Sequence, residues 1–242
     1  MPLLEICVET PAAVAAARTG GADRLELCAA LALGGLTPSL GLVALAVASG
    51  LPVMAMIRPV AGEFAYDAAT LAVMADDIAR VAALGVAGVV FGATSDDALD
   101  RQALALLMTT ARQAGERRGR SLATTLHRAI DLCADPLRAV DTAIALGFDN
   151  ILSSGGANTA LDGAPILAAM NACAAGRCTL IAGAGVNADN VAALLAATGV
   201  DAVHASCTTT ASVESTFGFG PAPASPNARR VAALRGAMTL KS

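Results

Sequence analysis

The chain has 242 residues, of which 55% are hydrophobic and 2% aromatic, with no Trp and a formal net charge of −4. That length suits one α/β barrel, and the apolar fraction supports a large core. The acidic balance and the scarcity of aromatics exclude a general nucleic-acid or anionic-membrane binder, which needs basic or base-stacking surface.

Six cysteines with no C-x-x-C pair do not make a small disulfide scaffold. The N-terminus enters a strand-like run, LLEICVE, without a basic n-region and an apolar h-region. The most apolar stretch, Leu42–Ile57, is cut by Gly50 and Pro52 and is too short to span a bilayer. The expectation is a soluble, reduced, cytoplasmic protein without nucleic-acid or membrane partners.

In chain order, apolar runs predict strands near residues 3–9, 24–28, 52–58, 86–92, 122–128, 149–154, 178–183 and 201–207. Helices are predicted near 11–19, 38–49, 68–84, 97–114, 136–146, 163–175, 188–198 and 227–237. One junction recurs: a helix-like run, a glycine, then a short apolar strand, as in TGGADRLEL, LGVAGVVFG, LGFDNILSS and TGVDAVHAS. Glycine past a helix supplies the left-handed C′ conformation. Thr10-Pro11, Thr37-Pro38 and Asp135-Pro136 each put a capping oxygen before a proline at the first helical position. Eight such alternations predict a single (β/α)8 TIM barrel over residues 1–242, with an open doubly wound sheet as the alternative. The Gly/Pro/Ser-rich stretch 208–227 reads as a mobile rim or lid over the C-terminal mouth.

Side chains alternate along a strand, so polar residues at spacing two share a face. Glu5, Cys7 and Glu9 form one such row, Arg24, Glu26 and Cys28 another, and Met54, Met56 and Arg58 a third. The apolar rows should face the helices, which leaves the polar rows inside the barrel. Buried charges need partners, and Arg24 or Arg58 beside Glu5, Glu9 or Glu26 would supply them. Two readings of that interior stand: a structural ion-pair network, or a pocket whose cations await an anionic ligand.

The fifth strand ends in LATTLHRAID, which sets His127, Arg128 and Asp131 close together. His204, the other histidine of the chain, sits near the end of the eighth strand run. Barrel active sites lie at strand C-termini, so both imidazoles fall where a site belongs. His127 is a candidate general acid or base with Asp131 or Glu26, its unperturbed pKa lying near neutrality. The competing reading is a core histidine bonded to one of those carboxylates. Ser153-Ser154-Gly155-Gly156 and Gly183-Ala184-Gly185 close the next two strands, and backbone amides freed by glycine cradle anions. Arg58, Arg128, Ser154, Gly183, Gly185 and His204 are therefore candidate anion contacts, although glycines also close ordinary turns. Cys7 and Cys28 end adjacent strands beside Met54 and Met56, a soft donor set of the kind that selects Cu(I). Buried free cysteine also serves as a small hydrophobe.

The segments EICVET, GGADRLELC, GGLTPSLGL, MIRP, GEFAY, VVFGATSDD, TLHRAID, LGFDNILSSGG, AGAGVNADN and VHAS run collinearly from Glu5 to Ser206. In combination they resemble the CutC copper-homeostasis family. The resemblance implies a TIM-barrel-like fold, a cytoplasmic location and a role in copper tolerance or trafficking. By position it makes Cys7 and Cys28 the copper ligands, and Glu9, Glu26, Arg58, His127, Arg128, Asp131, Ser154 and His204 the polar residues of the mouth. Val60, Glu63 and the Cys207-Thr208 pair depart from the family pattern, which often carries an arginine after the last strand.

Two functions follow as expectations. One is a Cu(I)-binding homeostasis protein using Cys7 and Cys28, with Met56 as third ligand. The other is a barrel enzyme acting on a small anionic, phosphorylated or similar, metabolite. An alanine-rich barrel with exposed helices is also compatible with a homodimer.

Overall fold

In the computed structural model, which describes residues 1–208 and 226–239, eight parallel strands pair edge to edge until the first meets the last. The barrel strands are β1 (Leu3–Val8), β2 (Arg24–Leu27), β3 (Val53–Met56), β4 (Gly88–Phe91), β7 (Ala123–Leu126), β8 (Asn150–Ser153), β9 (Thr179–Gly183) and β10 (Ala202–Ala205). A small antiparallel hairpin, β5 (Thr94–Ser95) and β6 (Ala98–Leu99), follows β4 outside the ring. Eight α-helices lie among the described residues: α1 (Pro11–Gly20), α2 (Leu40–Ala48), α3 (Ala68–Ala83), α4 (Arg101–Arg117), α5 (Pro136–Leu146), α6 (Ala164–Ala174), α7 (Val191–Thr198) and α8 (Ala228–Ala237). The expected (β/α)8 barrel is therefore the fold, and the open sheet is ruled out because β1 pairs with both β2 and β10. None of these helices is long and apolar enough to cross a membrane.

Local chemistry explains the boundaries. Thr10 accepts from the Ala13 amide, and Asp135 from the amides of Leu137 and Arg138, so both cap helices that open on proline. Gly21 and Gly147 end α1 and α5 at φ of 87° and 89°, the left-handed region that favours glycine. Thr37 corrects one expectation. Its hydroxyl accepts from the Arg58 amide, tying one loop to the next, and Ser39 caps α2 instead. The fourth helix also starts later than expected. Residues 94–99 are taken by the hairpin, and Asp100 caps α4 through the amides of Gln102 and Ala103.

The two faces of each strand do different work. Leu4, Ile6, Val8, Leu25, Leu27, Val53, Ala55 and Ile57 face the helices and join the main core. Full burial of one large aliphatic side chain contributes about 2 kcal/mol, so this outer layer can offset charges placed within the ring. Inside, two apolar clusters stand apart from that core: Cys28, Met54, Met56 and Val90, and opposite them Leu152, Ile181 and Ala202. A Cβ on Gly88 would come within 2.7 Å of the Met54 sulfur, so glycine there lets the thioether fill the interior. Of the expected rim, residues 209–225 lie outside the described residues. At its two ends Thr208 and Pro226 form an antiparallel bridge.

Candidate active site

The register of β1, β2 and β10 sets Glu5 opposite both Arg24 and His204, and Cys7 opposite Glu26. All five side chains occupy inner-face positions, where strand alternation requires them to meet. Arg24 Nε donates to Glu5 Oε2 at 2.5 Å, and His204 Nδ1 donates to the other oxygen, Oε1, at 2.8 Å. The opposite edge of the His204 ring, Nε2, lies 3.9 Å from Glu26 Oε2. Cys28 Sγ donates to that same Glu26 oxygen at 3.6 Å. The imidazole thus sits between two carboxylates, fixed by one and open toward the other.

Burial would raise the pKa of both glutamates, and their partners divide them. Glu5 ends below the usual range because the hydrogen bond from His204 and the charge of Arg24 outweigh desolvation. Glu26 is pushed up by burial, which the more distant His204 only partly offsets. His204 itself rises well above an ordinary histidine: burial opposes its charge, but Glu26, Cys7 and Glu5 together prevail. Two carboxylates in one pocket with pKa values driven apart are the usual basis of an acid–base assignment. Several groups here also lack hydrogen-bond partners. Arg24 Nη2 and Glu26 Oε1 are buried and unbonded, and so is Thr125 Oγ1 on β7. Native interiors rarely leave such atoms unmet unless something else satisfies them.

His127 occupies a second place. Its Nδ1 accepts from the Ala129 amide at 3.1 Å, which assigns the ring proton to Nε2, and Nε2 is buried without a partner. Burial and the charge of Arg58 push its pKa down to about 3. The structure therefore bonds His127 to neither Asp131 nor Glu26. Arg58 is buried and donates through Nη1 to the carbonyls of Leu33 and Gly35 and through Nη2 to that of Gly62, leaving Nε unbonded.

The third place is a loop brace. Asp131 accepts from Arg128 Nε at 2.8 Å, from the hydroxyls of Ser153 and Ser154, and from the amides of Ser154 and Gly156. Arg128 Nη2 donates to Ser154 Oγ. Both carboxylate oxygens of Asp131 are thus answered within the protein, beside an Arg128 whose side chain is 45% exposed. Glu9 is likewise occupied by the Leu31 amide. Gly183 leaves room for its neighbours, since a Cβ there would meet Leu152 at 2.6 Å and His204 at 3.3 Å. The Gly185 carbonyl accepts from the side-chain amides of Asn187 and Asn190, which shapes the turn after β9.

Cys7 and Cys28 are both buried on the inner face and unpaired. Burial and Glu26 raise the Cys28 pKa well above that of a free thiol, against the thiolate a metal requires. Among the described residues, the group of three potential metal ligands lying within 4.8 Å of one another is Glu5, Glu26 and His204, with no sulfur. Sequence reasoning passed over four residues. The strand pattern puts Glu5 and Arg24 in the interior, as part of an ion-pair network or of an anion pocket, without singling them out as site residues, and it marks Phe64 and Tyr66 only as part of GEFAY. The alternation that brought Glu26 forward applies equally to Glu5 and Arg24. Nothing in the local pattern sets Phe64 against His127 and Arg58, or Tyr66 against the main core beside Arg58.

A model described as the CutC family matches residues 2–209. A family protein CutC of Sinorhizobium medicae is 48% identical over 208 residues, which cover 86% of this chain and 82% of that protein. One from Caulobacter vibrioides is 48% identical over 205 residues, covering 84% of this chain and 80% of its own. The crystal structure of CutC from Streptococcus agalactiae, described in terms of copper homeostasis, aligns with a TM-score of 0.76 at 31% identity. It covers 85% of this chain and 99% of that one.

Proposed function

This chain belongs to the CutC family, and from that premise we propose that its barrel performs acid–base chemistry on a small anionic metabolite. The observation that carries the reading is His204, held on Nδ1 by Glu5 and facing Glu26 through Nε2. Arg24 anchors Glu5, Glu5 orients the imidazole, and His204 with Glu26, both shifted upward, form the pair that holds and passes a proton. The unmet Arg24 Nη2, Glu26 Oε1 and Thr125 Oγ1 support a polar, oxygen-rich occupant. Six unpaired cysteines accord with a reducing compartment, and we place this activity in the cytoplasm.

The test is incubation with a panel of small carboxylates and phosphate esters in deuterated buffer, followed by NMR. The wild-type protein is expected to convert at least one compound or exchange one of its protons. Glu26→Gln and His204→Asn should each slow that reaction by about 10²–10⁴-fold with circular dichroism unchanged. If the wild type leaves the whole panel untouched, or both variants keep full rate, the reading fails.

A second reading, Cu(I) binding and trafficking, is favoured by the two inner-face sulfurs of Cys7 and Cys28 with Met56 in the same apolar cluster as Cys28. It requires Cu(I) affinity that disappears in the Cys7→Ser/Cys28→Ser variant while the fold survives. Equal affinity in that variant, measured by competition with a chromogenic Cu(I) chelator, would eliminate the site.

A further inference from the structure

A separate set of unmet donors gathers around Phe64, on the loop between β3 and α3. The Phe64 ring lies 4.6 Å, centroid to centroid, from the His127 imidazole and takes the Arg58 guanidinium over its face at 5.0 Å. Burial raises the pKa of the Tyr66 phenol, and the Arg58 guanidinium beside it works against that rise both by its charge and as a donor facing the phenolic oxygen. Three atoms of this group are buried and unbonded: Arg58 Nε, Tyr66 Oη and His127 Nε2. The side chains of Arg58 and His127 are only 4% exposed.

All three atoms can donate. An arginine has no acceptor, the phenol carries a proton, and the imidazole proton is on Nε2 because Nδ1 is taken by the Ala129 amide. Burial and Arg58 keep that imidazole neutral down to a pH of about 3, so His127 is a standing donor and a poor base at neutrality. Two of the three donors, those of Arg58 and His127, are also held still. The two Arg58 Nη atoms are tied to the carbonyls of Leu33, Gly35 and Gly62. The His127 ring fits against Gly92, where a Cβ would come within 2.6 Å of it, with Phe64 also in contact. Donors fixed before a ligand arrives, one of them cationic, match a group with several lone pairs and a negative charge.

The geometry points to an oxyanion subsite in which Arg58 Nε, Tyr66 Oη and His127 Nε2 receive the carboxylate or phosphoryl group of the metabolite, with Phe64 as its wall. This rests on the acid–base reading above and adds which end of the substrate goes where. His127 is then a binding group, and proton transfer is left to His204 and Glu26.

Inorganic phosphate and malonate serve as probes, titrated at millimolar concentration into protein labelled with ¹⁵N-histidine. At least one should saturate and move the His127 Nε2–H resonance, and the tighter of the two identifies the group as phosphoryl or carboxylate. Tyr66→Phe, which removes one oxygen, should weaken that binding about tenfold with the ligand-free melting temperature unchanged. Glu26→Gln should bind the probe as the wild type does while losing turnover. Neither probe binding, or binding with the His127 resonance still and Tyr66→Phe equal to wild type, overturns the subsite. Probe binding without turnover of any metabolite leaves the subsite standing and removes the reaction. Turnover that is indifferent to Tyr66→Phe does the reverse.

Discussion

Two polar clusters at the barrel mouth are made of similar side chains and behave differently. Around Asp131, an arginine, two serine hydroxyls and two amides converge on one carboxylate, and both of its oxygens are answered. Around His204, two carboxylates and an arginine leave Arg24 Nη2 and Glu26 Oε1 buried and unbonded. The first arrangement spends its hydrogen bonds on holding the loop after β8 in place. The second leaves some unused, and the proposed reaction assigns them to its substrate. What separates a brace from a reactive centre is which donors and acceptors remain unused, and residue type alone does not reveal it.

The comparison breaks most sharply through turnover. Glu26→Gln should lose about 10²–10⁴-fold in rate with little change in stability, whereas Asp131→Ala should keep the chemistry it can still position. The expected cost of Asp131→Ala is about 3 kcal/mol in urea denaturation, because Ser153 Oγ and the amides of Ser154 and Gly156 lose their acceptor. A stable Asp131→Ala protein that is catalytically dead would reverse the assignment of the two clusters.

A smaller effect lies in the pH dependence of stability. His204 is raised in the folded protein, so its contribution is complete below the unfolded value of about 6.5 and is lost as pH rises through the folded one. Glu26, raised by burial, has the same sign. Glu5 is depressed, so its contribution is complete above about 4.3 and is lost as pH falls through its folded value. Denaturation midpoints should therefore decline on both sides of a plateau, and Glu26→Gln should flatten the alkaline side by removing the carboxylate that raises His204. An alkaline limb unchanged in that variant would separate Glu26 from His204.

The barrel was legible because its signals are local and repeated. Thr10 and Asp135 cap where their prolines announce it, and each glycine junction precedes a strand. The hairpin of β5 and β6 escaped because its strands are two residues each, too short for an alternating pattern to register. Thr37 misled because its hydroxyl is claimed by the Arg58 amide 21 residues away. At the site, alternation brought Glu26 and Cys28 inward as expected, and both histidines lie at strand ends. The choice between the histidines was not legible. His204 meets a carboxylate through barrel register, which brings Glu5 from 199 positions away, whereas His127 is taken by the amide of Ala129, two residues on, through a turn that the residue pattern does not announce.

The bond from His204 to Glu5 joins residues 199 positions apart, across the seam where β10 meets β1. Arg24 can reach Glu5 from the neighbouring strand, 19 positions on, but the imidazole is added only when the last strand of the barrel docks. A polypeptide terminated before the last strand can assemble αβ units but never this contact. The proposed proton transfer therefore depends on closure of the ring, and a fragment that lacks β10 lacks its imidazole.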